Sequence, residues 1–234
     1  MRFLLVLLMF LPVSLYAADD ENIAPKIADQ IRKHNVDMKI DSIRRTPVSG
    51  IYEIKTGDNI YYMDRSGKYL ISGHLFETAT KKDLTAVRLE QINRIDWSVL
   101  PLDKAVVSGD SNGTEMAVFT DPDCPYCKKF EESLKGIKGV KVYTFLFPLT
   151  QLHPDARRKS EAIWCAKDRH AALLQVMLDD KPISGGGCNT PLDEIAALAG
   201  RLNINGTPTI IARDGRKLGG MLPADKLKIW LAGK

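Results

Sequence analysis

Beyond its first 18 residues this 234-residue chain has no apolar run long enough to cross a bilayer, which excludes a polytopic membrane protein. Nor does it concentrate positive charge. The 33 Lys and Arg barely exceed the 29 Asp and Glu, and no basic run exceeds three residues, so no nucleic-acid partner is implied. KK at 81 to 82 and 128 to 129, and RRK at 157 to 159, read as solvated helix faces. Histidine is scarce: His34, His74, His153 and His170 form no i, i+4 pair and have no acidic signature beside them, so they read as surface or packing residues. Four cysteines include one closely spaced pair, Cys124 and Cys127, and lack the second pair that a four-thiolate zinc site uses. Neither a metal nor an organic cofactor is indicated. Internal repeats and low-complexity tracts are also missing.

What is present fits a globular protein of one large or two ordinary domains, with 44% hydrophobic and 26% charged residues. The opening MRFLLVLLMFLPVSLYAA carries one positive charge, then an apolar stretch broken by Pro12, then small residues, with Asp19-Asp20-Glu21 after it. That pattern reads as a secretory signal peptide over residues 1–18, and it places the mature chain outside the cytoplasm, where thiols meet oxidants. There, Cys124, Cys127, Cys165 and Cys188 form an even set that allows three pairings.

Periodicity divides the remainder. Ile23, Ile27 and Ile31 recur every four positions and predict an amphipathic helix over 22–34. The alternation of Val36, Met38 and Ile40 predicts a strand, and IYEI, NIYYM and KYLIS follow between the turn formers TGDN and DRSGK. One helix on a small antiparallel sheet is the reading for residues 19–80. Leu84, Val87, Ile92 and Ile95 then predict a helix to Trp97, the core of a helical linker over 81–100 that Pro101 closes. Beyond it, EMAVFT and VKVYTFLF read as strands around a helix that turns Phe130 and Leu134 inward. Residues 155–178 read as one helical stretch with Ile163, Ala166, Leu173 and Met177 along one side. A further helix starts with Thr190 as cap and Pro191 in its first turn and ends near Gly200. TPTIIA and RKLGG form a hairpin, and PADKLKIWL a last helix. This order is that of a thioredoxin fold over 101–234, with a helical insertion at about 150–200.

Within that order the stretch FTDPDCPYCKKF gains a chemistry. A strand before it and a helix after it put Cys124 at a helix N-terminus, where unpaired backbone N–H groups and the helix dipole favour the thiolate. Cys127, one turn on, is placed to attack a mixed disulfide on Cys124 and release a stalled substrate. Pro125 fixes φ in the first turn, where a missing N–H costs little, and Tyr126 completes the pair between the cysteines.

Three pieces, FTDPDCPYC, AIWCAKD around Cys165 and NGTPTII around Pro208, resemble in order and spacing the bacterial periplasmic disulfide isomerases of the DsbC and DsbG family, over nearly the whole mature chain. The resemblance implies a homodimer with a cystatin-like N-terminal dimerisation domain, a linking helix and a thioredoxin domain with a helical insertion. It implies that Cys124 attacks, that Cys127 resolves, and that Pro208 is a cis-proline facing the sulfurs. The backbone of Thr207 would then pair with an extended substrate chain, while Pro208, lacking an N–H, discourages metal capture. Cys165 and Cys188 resemble the structural disulfide of the DsbC branch. Pro125-Tyr126 resembles the DsbG dipeptide instead, and the disulfide with AIWCAKD outweighs it.

The implied function is isomerisation or reduction of wrong disulfides in misfolded or mis-oxidised secreted proteins, in the periplasm, with a DsbD-like membrane thiol reductase supplying electrons. The alternatives are a DsbG-like reductase of sulfenylated cysteines and a chaperone or holdase. For dimerisation, the strands carrying Tyr52, Ile54, Ile60 and Tyr62 offer apolar and aromatic faces in a domain of only about sixty residues, which is marginal alone.

Overall fold

The computed structural model describes residues 23–34 and 38–233, which fall into two compact units divided between Ile92 and Asn93. The leader at 1–18, Asn22 and Val36 lie outside the described residues.

In the first unit α1 (Ile23–Lys33) lies over a sheet of β1 (Ser42–Arg45), β2 (Ile51–Thr56), β3 (Asn59–Asp64) and β4 (Leu70–Ile71), antiparallel throughout and in that order. The four-residue spacing of Ile23, Ile27 and Ile31 puts all three on one helix face, where they bury against Tyr52, Ile54 and Met63. Burying each isoleucine contributes about 1.5–3 kcal/mol relative to exposure. β5 (Phe76–Glu77) pairs with β6 (Lys82–Asp83), and α2 (Leu84–Ile92) follows. Thr85 on α2 shares a hydrogen bond with the buried Tyr62 hydroxyl, and Arg88 pairs with Glu53 at 3.1 Å.

Three readings of this unit need correction. Met38 and Ile40 belong to no strand, although both pack against the α1 core; pairing begins at Ser42, because the Asp41 carboxylate takes the Lys55 ammonium at 3.0 Å and the Gly57 N–H at 2.7 Å and so sets the register of β1 on β2. The helix from Leu84 stops at Ile92 rather than Trp97, since Ile95 and Trp97 are core residues of the second unit. Tyr52, Ile54, Ile60 and Tyr62 are already buried within the chain, at 8%, 0%, 7% and 5% exposure, and are not free for a partner. Exposed apolar side chains sit instead on Tyr69, Leu70, Ile71 and Phe76.

The second unit is a five-stranded sheet, β11-β10-β8-β9-β7, built from β7 (Val106–Gly109), β8 (Thr114–Thr120), β9 (Val140–Leu146), β10 (Thr209–Ala212) and β11 (Lys217–Gly219). β8 and β9 are parallel and joined through α3 (Pro125–Leu134), and every other pairing is antiparallel. Strand alternation sorts the core: Ala117 and Phe119 face Ile195 and Leu198 of α6 (Leu192–Arg201), while Met116 and Val118 face Phe130 and Leu227, the latter on α7 (Ala224–Leu231). Edge strand β7 was not anticipated from AVVSGD. The carbonyl of Gly215, at φ +88, accepts the Ile95 N–H at 2.8 Å, and a Cβ there would lie 2.3 Å from the Ile95 oxygen, so glycine is required at this turn.

The insertion is two helices rather than one. α4 (Ala156–Cys165) ends at Cys165, and α5 (Arg169–Met177) restarts after Asp168 caps it by accepting the Ala171 N–H at 3.0 Å. α6 begins one residue later than the capping signal placed it: Pro191 occupies the cap position, Thr190 makes no cap, and Asp193 and Glu194 in the first turn complement the dipole.

On α3, Glu131 is 3% exposed, its Oε1 has no protein hydrogen-bond partner, and burial pushes its carboxyl up from 4.5 to about 7. A carboxyl raised in the folded state adds stability that is complete below the unfolded value and is lost as pH rises through the folded one. We therefore predict that stability falls by roughly 3 kcal/mol between pH 4.5 and about 7 on account of this group. In urea titrations across that range, Glu131→Gln should flatten the decline; an unchanged pH slope would contradict this.

Candidate active site

Strand β8 delivers Thr120 and the loop Asp121–Asp123 to the front of α3, and Cys124 occupies the cap position with extended backbone (φ −70, ψ 121). Pro125 follows at the first helical position, where its missing N–H is not needed. The sulfur of Cys124 therefore stands at the positive end of a ten-residue helix, 6% exposed, while Cys127 on the inner face is fully buried. Tyr126 between them points outward, 62% exposed.

Burial makes the two thiols unequal. It pushes Cys127 up to about 12, only partly offset by the polar groups of Asp121, Thr120 and Thr207 nearby. The Thr120 and Thr207 hydroxyls are both buried and make no hydrogen bond among the described residues.

The Thr207–Pro208 peptide bond is cis. It brings the Thr207 carbonyl to the Cys124 sulfur, which donates to it at 3.4 Å. A groove of about 320 Å³ runs beside this loop, lined by Asn205, Gly206, Thr207, Pro208 and Gly220 among others. Cys165 and Cys188 are bridged, with Cα atoms 5.8 Å apart across a separation of 23 residues. That bridge ties the end of α4 to the segment before α6, while Cys124 and Cys127 are unbridged. Closing such a loop stabilises by roughly 3 kcal/mol in the chain-entropy picture.

Three residues that the sequence did not single out join the site. Asp121 is fully buried, and its carboxylate accepts the Asp123 N–H at 2.8 Å, the Leu149 N–H at 2.7 Å and His153 Nδ1 at 3.0 Å. Thr120, fully buried, ends β8 immediately before Asp121. His153, first read as an ordinary packing residue, is the long-range partner of Asp121. The one local signal for them was polarity at FTD, unusual at the end of a buried strand. Lys159 pairs with Asp123, which holds its ammonium above the ordinary lysine range, and Lys128 pairs with Asp180 at 3.0 Å.

A thiol pair split across a helix N-terminus, faced by a cis-proline loop on a mixed five-stranded sheet, defines a thioredoxin-fold thiol:disulfide oxidoreductase. Residues 101–233 match the thioredoxin-like domain family and residues 15–86 the disulfide bond isomerase protein N-terminal domain. The chain is 35% identical over 207 residues to the probable thiol:disulfide interchange protein DsbC of Bordetella avium, across 86% of this chain and 74% of that one. To DsbC of Escherichia coli K12 it is 28% identical over 223 residues, covering 92% and 88%. A crystal structure of a disulfide interchange protein from Neisseria gonorrhoeae aligns with TM-score 0.55 and 38% identity, over 57% of this chain and 97% of that chain. The chain belongs to the DsbC family of thiol:disulfide interchange proteins.

The inequality of the two thiols generates a prediction. Reduced, folded protein treated briefly with iodoacetamide at pH 8 should take up one equivalent, on Cys124, whereas Cys127 should react only after unfolding; peptide mapping that finds both labelled at comparable rates would contradict it.

Proposed function

We propose that Cys124 is the attacking cysteine and Cys127 the resolving one in disulfide exchange on misfolded secreted proteins. The observation that carries this reading is the seat of Cys124 at the front of α3, 3.4 Å from the Thr207 carbonyl, with Cys127 buried one turn behind. The Cys124 thiolate attacks one sulfur of a client disulfide; that S–S bond breaks, a mixed disulfide forms, and the released client thiolate takes a proton from water. Two exits follow. A different client thiolate attacks the client sulfur in the mixed disulfide and regenerates Cys124, so the client's disulfide is rearranged with no net change in oxidation. Alternatively Cys127, on losing its proton, attacks Cys124 Sγ, expels the client thiolate reduced and leaves Cys124–Cys127 oxidised.

In this reading the Thr207 backbone and Pro208 hold an extended client strand across the sulfurs, and Pro125 and Tyr126 shape the entrance. The Cys165–Cys188 bridge is structural. The reductive exit needs an electron donor, for which a DsbD-like membrane thiol reductase is the fitting class. The leader pattern supports a periplasmic home; among the described residues no helix is long and apolar enough to cross a membrane. Residues 19–80 serve as a dimerisation domain and 81–100 as a linker to the catalytic part at 101–234. The exposed Tyr69, Leu70, Ile71 and Phe76, with β4 at a sheet edge, support dimerisation there. One observation, the Pro125-Tyr126 dipeptide, favours a second reading as a reductase of sulfenylated single cysteines.

Cys124→Ser should abolish recovery of a scrambled multi-disulfide client, by at least a hundredfold in rate, as followed by the client's own activity, while Cys165→Ala with Cys188→Ala should retain recovery and lose roughly 3 kcal/mol of stability. Full recovery with Cys124→Ser would sink the assignment and leave a holdase. A marked preference for a sulfenylated client over the scrambled one would favour the second reading. For the dimer, sedimentation of the mature chain at micromolar concentration should give twice the monomer mass, and Leu70→Asp with Ile71→Asp should give monomers; a monomeric unaltered chain would contradict the assignment.

A further inference from the structure

Glu131 is a buried acid that the redox pair does not use. It stands on α3 one turn after Cys127, 3% exposed, and its Oε1 has no hydrogen-bond partner among the described residues. The side chain lines a cavity of about 140 Å³ between α3, α5, β7 and β9. Leu134, Ile137, Val140, Val142 and Leu174 give that cavity an apolar wall, and Ser108 adds a hydroxyl. The other titratable groups in the lining are Lys135, just past the end of α3, and His170 on α5, and neither bonds Oε1. Lys141 on β9 lies over the Tyr143 ring at 5.0 Å instead. A buried carboxylate needs hydrogen bonds and a countercharge, and native structures rarely leave such an atom unpaired beside open volume.

The lining selects among ligand chemistries. A metal ion takes several ligands, and among the described residues no group of three His, Cys, Asp or Glu comes together. A guanidinium would bring five donors to one carboxylate and one hydroxyl, and some of them would stay unpaired against the apolar wall. An ammonium brings one charge and three donors, which the two carboxylate oxygens and the Ser108 hydroxyl match in number. Volume sets the size: at about 30 Å³ per water in the liquid, the cavity takes about five non-hydrogen atoms. We infer that this cavity is a binding site for a primary alkylammonium group, free or on a lysine side chain, with its charge on Glu131 and its carbon chain against Leu134, Val142 and Leu174. Its occupancy does not depend on which cysteine attacks a disulfide.

Binding of this kind is linked to protons. Burial holds the Glu131 carboxyl up at about 7, so below that value an incoming ammonium must displace its proton. Affinity should therefore fall about tenfold for each pH unit below about 7 and level off above it. His170 shares the lining, so the same titration in His170→Gln shows whether the slope belongs to Glu131.

The test follows the amides of Ser108, Leu134 and Leu174 by NMR in full-length mature protein, titrated at constant ionic strength with n-butylammonium chloride and, as its uncharged match, n-butanol. Butylammonium should give saturable shifts at those amides, about tenfold tighter at pH 8 than at pH 6, and butanol should bind at least tenfold more weakly. Glu131→Gln should weaken butylammonium at least tenfold and remove the pH slope, whereas His170→Gln should keep it. Leu174→Phe, which fills the cavity and leaves the carboxyl, should also lose binding, and it carries the test should the Gln variant not fold. N-acetyl-lysine methylamide separates the sources: binding as tight as butylammonium supports a lysine of a partner protein, and much weaker binding supports a free amine. Equal binding of butylammonium and butanol overturns the inference, as does binding that keeps its strength and pH slope in Glu131→Gln. The absence of any saturable shift at pH 8 also overturns it and leaves Glu131 to water.

Discussion

The structure depends on keeping two thiols one helical turn apart in unequal surroundings. Cys124 sits at the positive end of α3 with a backbone carbonyl as its neighbour, whereas Cys127 lies in the dry interior, where the charged form of a sulfur is disfavoured. A pair of equal thiols would attack indiscriminately and close on each other without delay. In the proposed mechanism the inequality gives an order of events, with one sulfur meeting the client and the other held back until a mixed disulfide exists.

Most of the second unit serves that arrangement. Alternating Met116, Ala117, Val118 and Phe119 pack both faces of β8 and so fix the point at which the chain leaves the sheet. Phe130, fully buried against Val118 and Leu227, anchors α3 from within. The insertion closes over the inner cysteine with Ile163, Trp164 and Leu173, supplying the burial that raises it. Arg169 stacks on Trp164 at 3.5 Å and caps its carbonyl, which holds the break between α4 and α5. The Cys165–Cys188 bridge spans the same insertion, so the cover over the redox pair is itself cross-linked.

Local chemistry made much of this readable in the sequence. The C-x-x-C after a strand, the isoleucine spacing of α1, and the hairpin of β10 and β11 are each set by residues a few positions apart, and the fold class follows from their order. What was misread depended on distant partners. Tyr52, Ile54, Ile60 and Tyr62 alternate as a half-buried strand should, but alternation cannot tell whether a face is covered by a second copy or from within, as α1 covers Tyr52 and Ile54 and Thr85 of α2 meets Tyr62. Met38 and Ile40 alternate too, yet the register is fixed by Asp41 reaching Lys55 and Gly57. Ile95 continues the spacing of α2 while belonging to another core. Asp121 and His153 are separated by 32 residues, and only the fold brings a lone histidine to a lone aspartate.

The central claim is that Cys124 alone makes the covalent bond to a client. Trapping tests it most directly: a Cys127→Ser protein, unable to resolve, is mixed with a client bearing scrambled disulfides, and the linked species is digested and mapped without reduction. A mixed disulfide between the client and Cys124, with Cys165–Cys188 intact, is the result this account requires. A client joined through Cys165 or Cys188, or no covalent species at all, would contradict it.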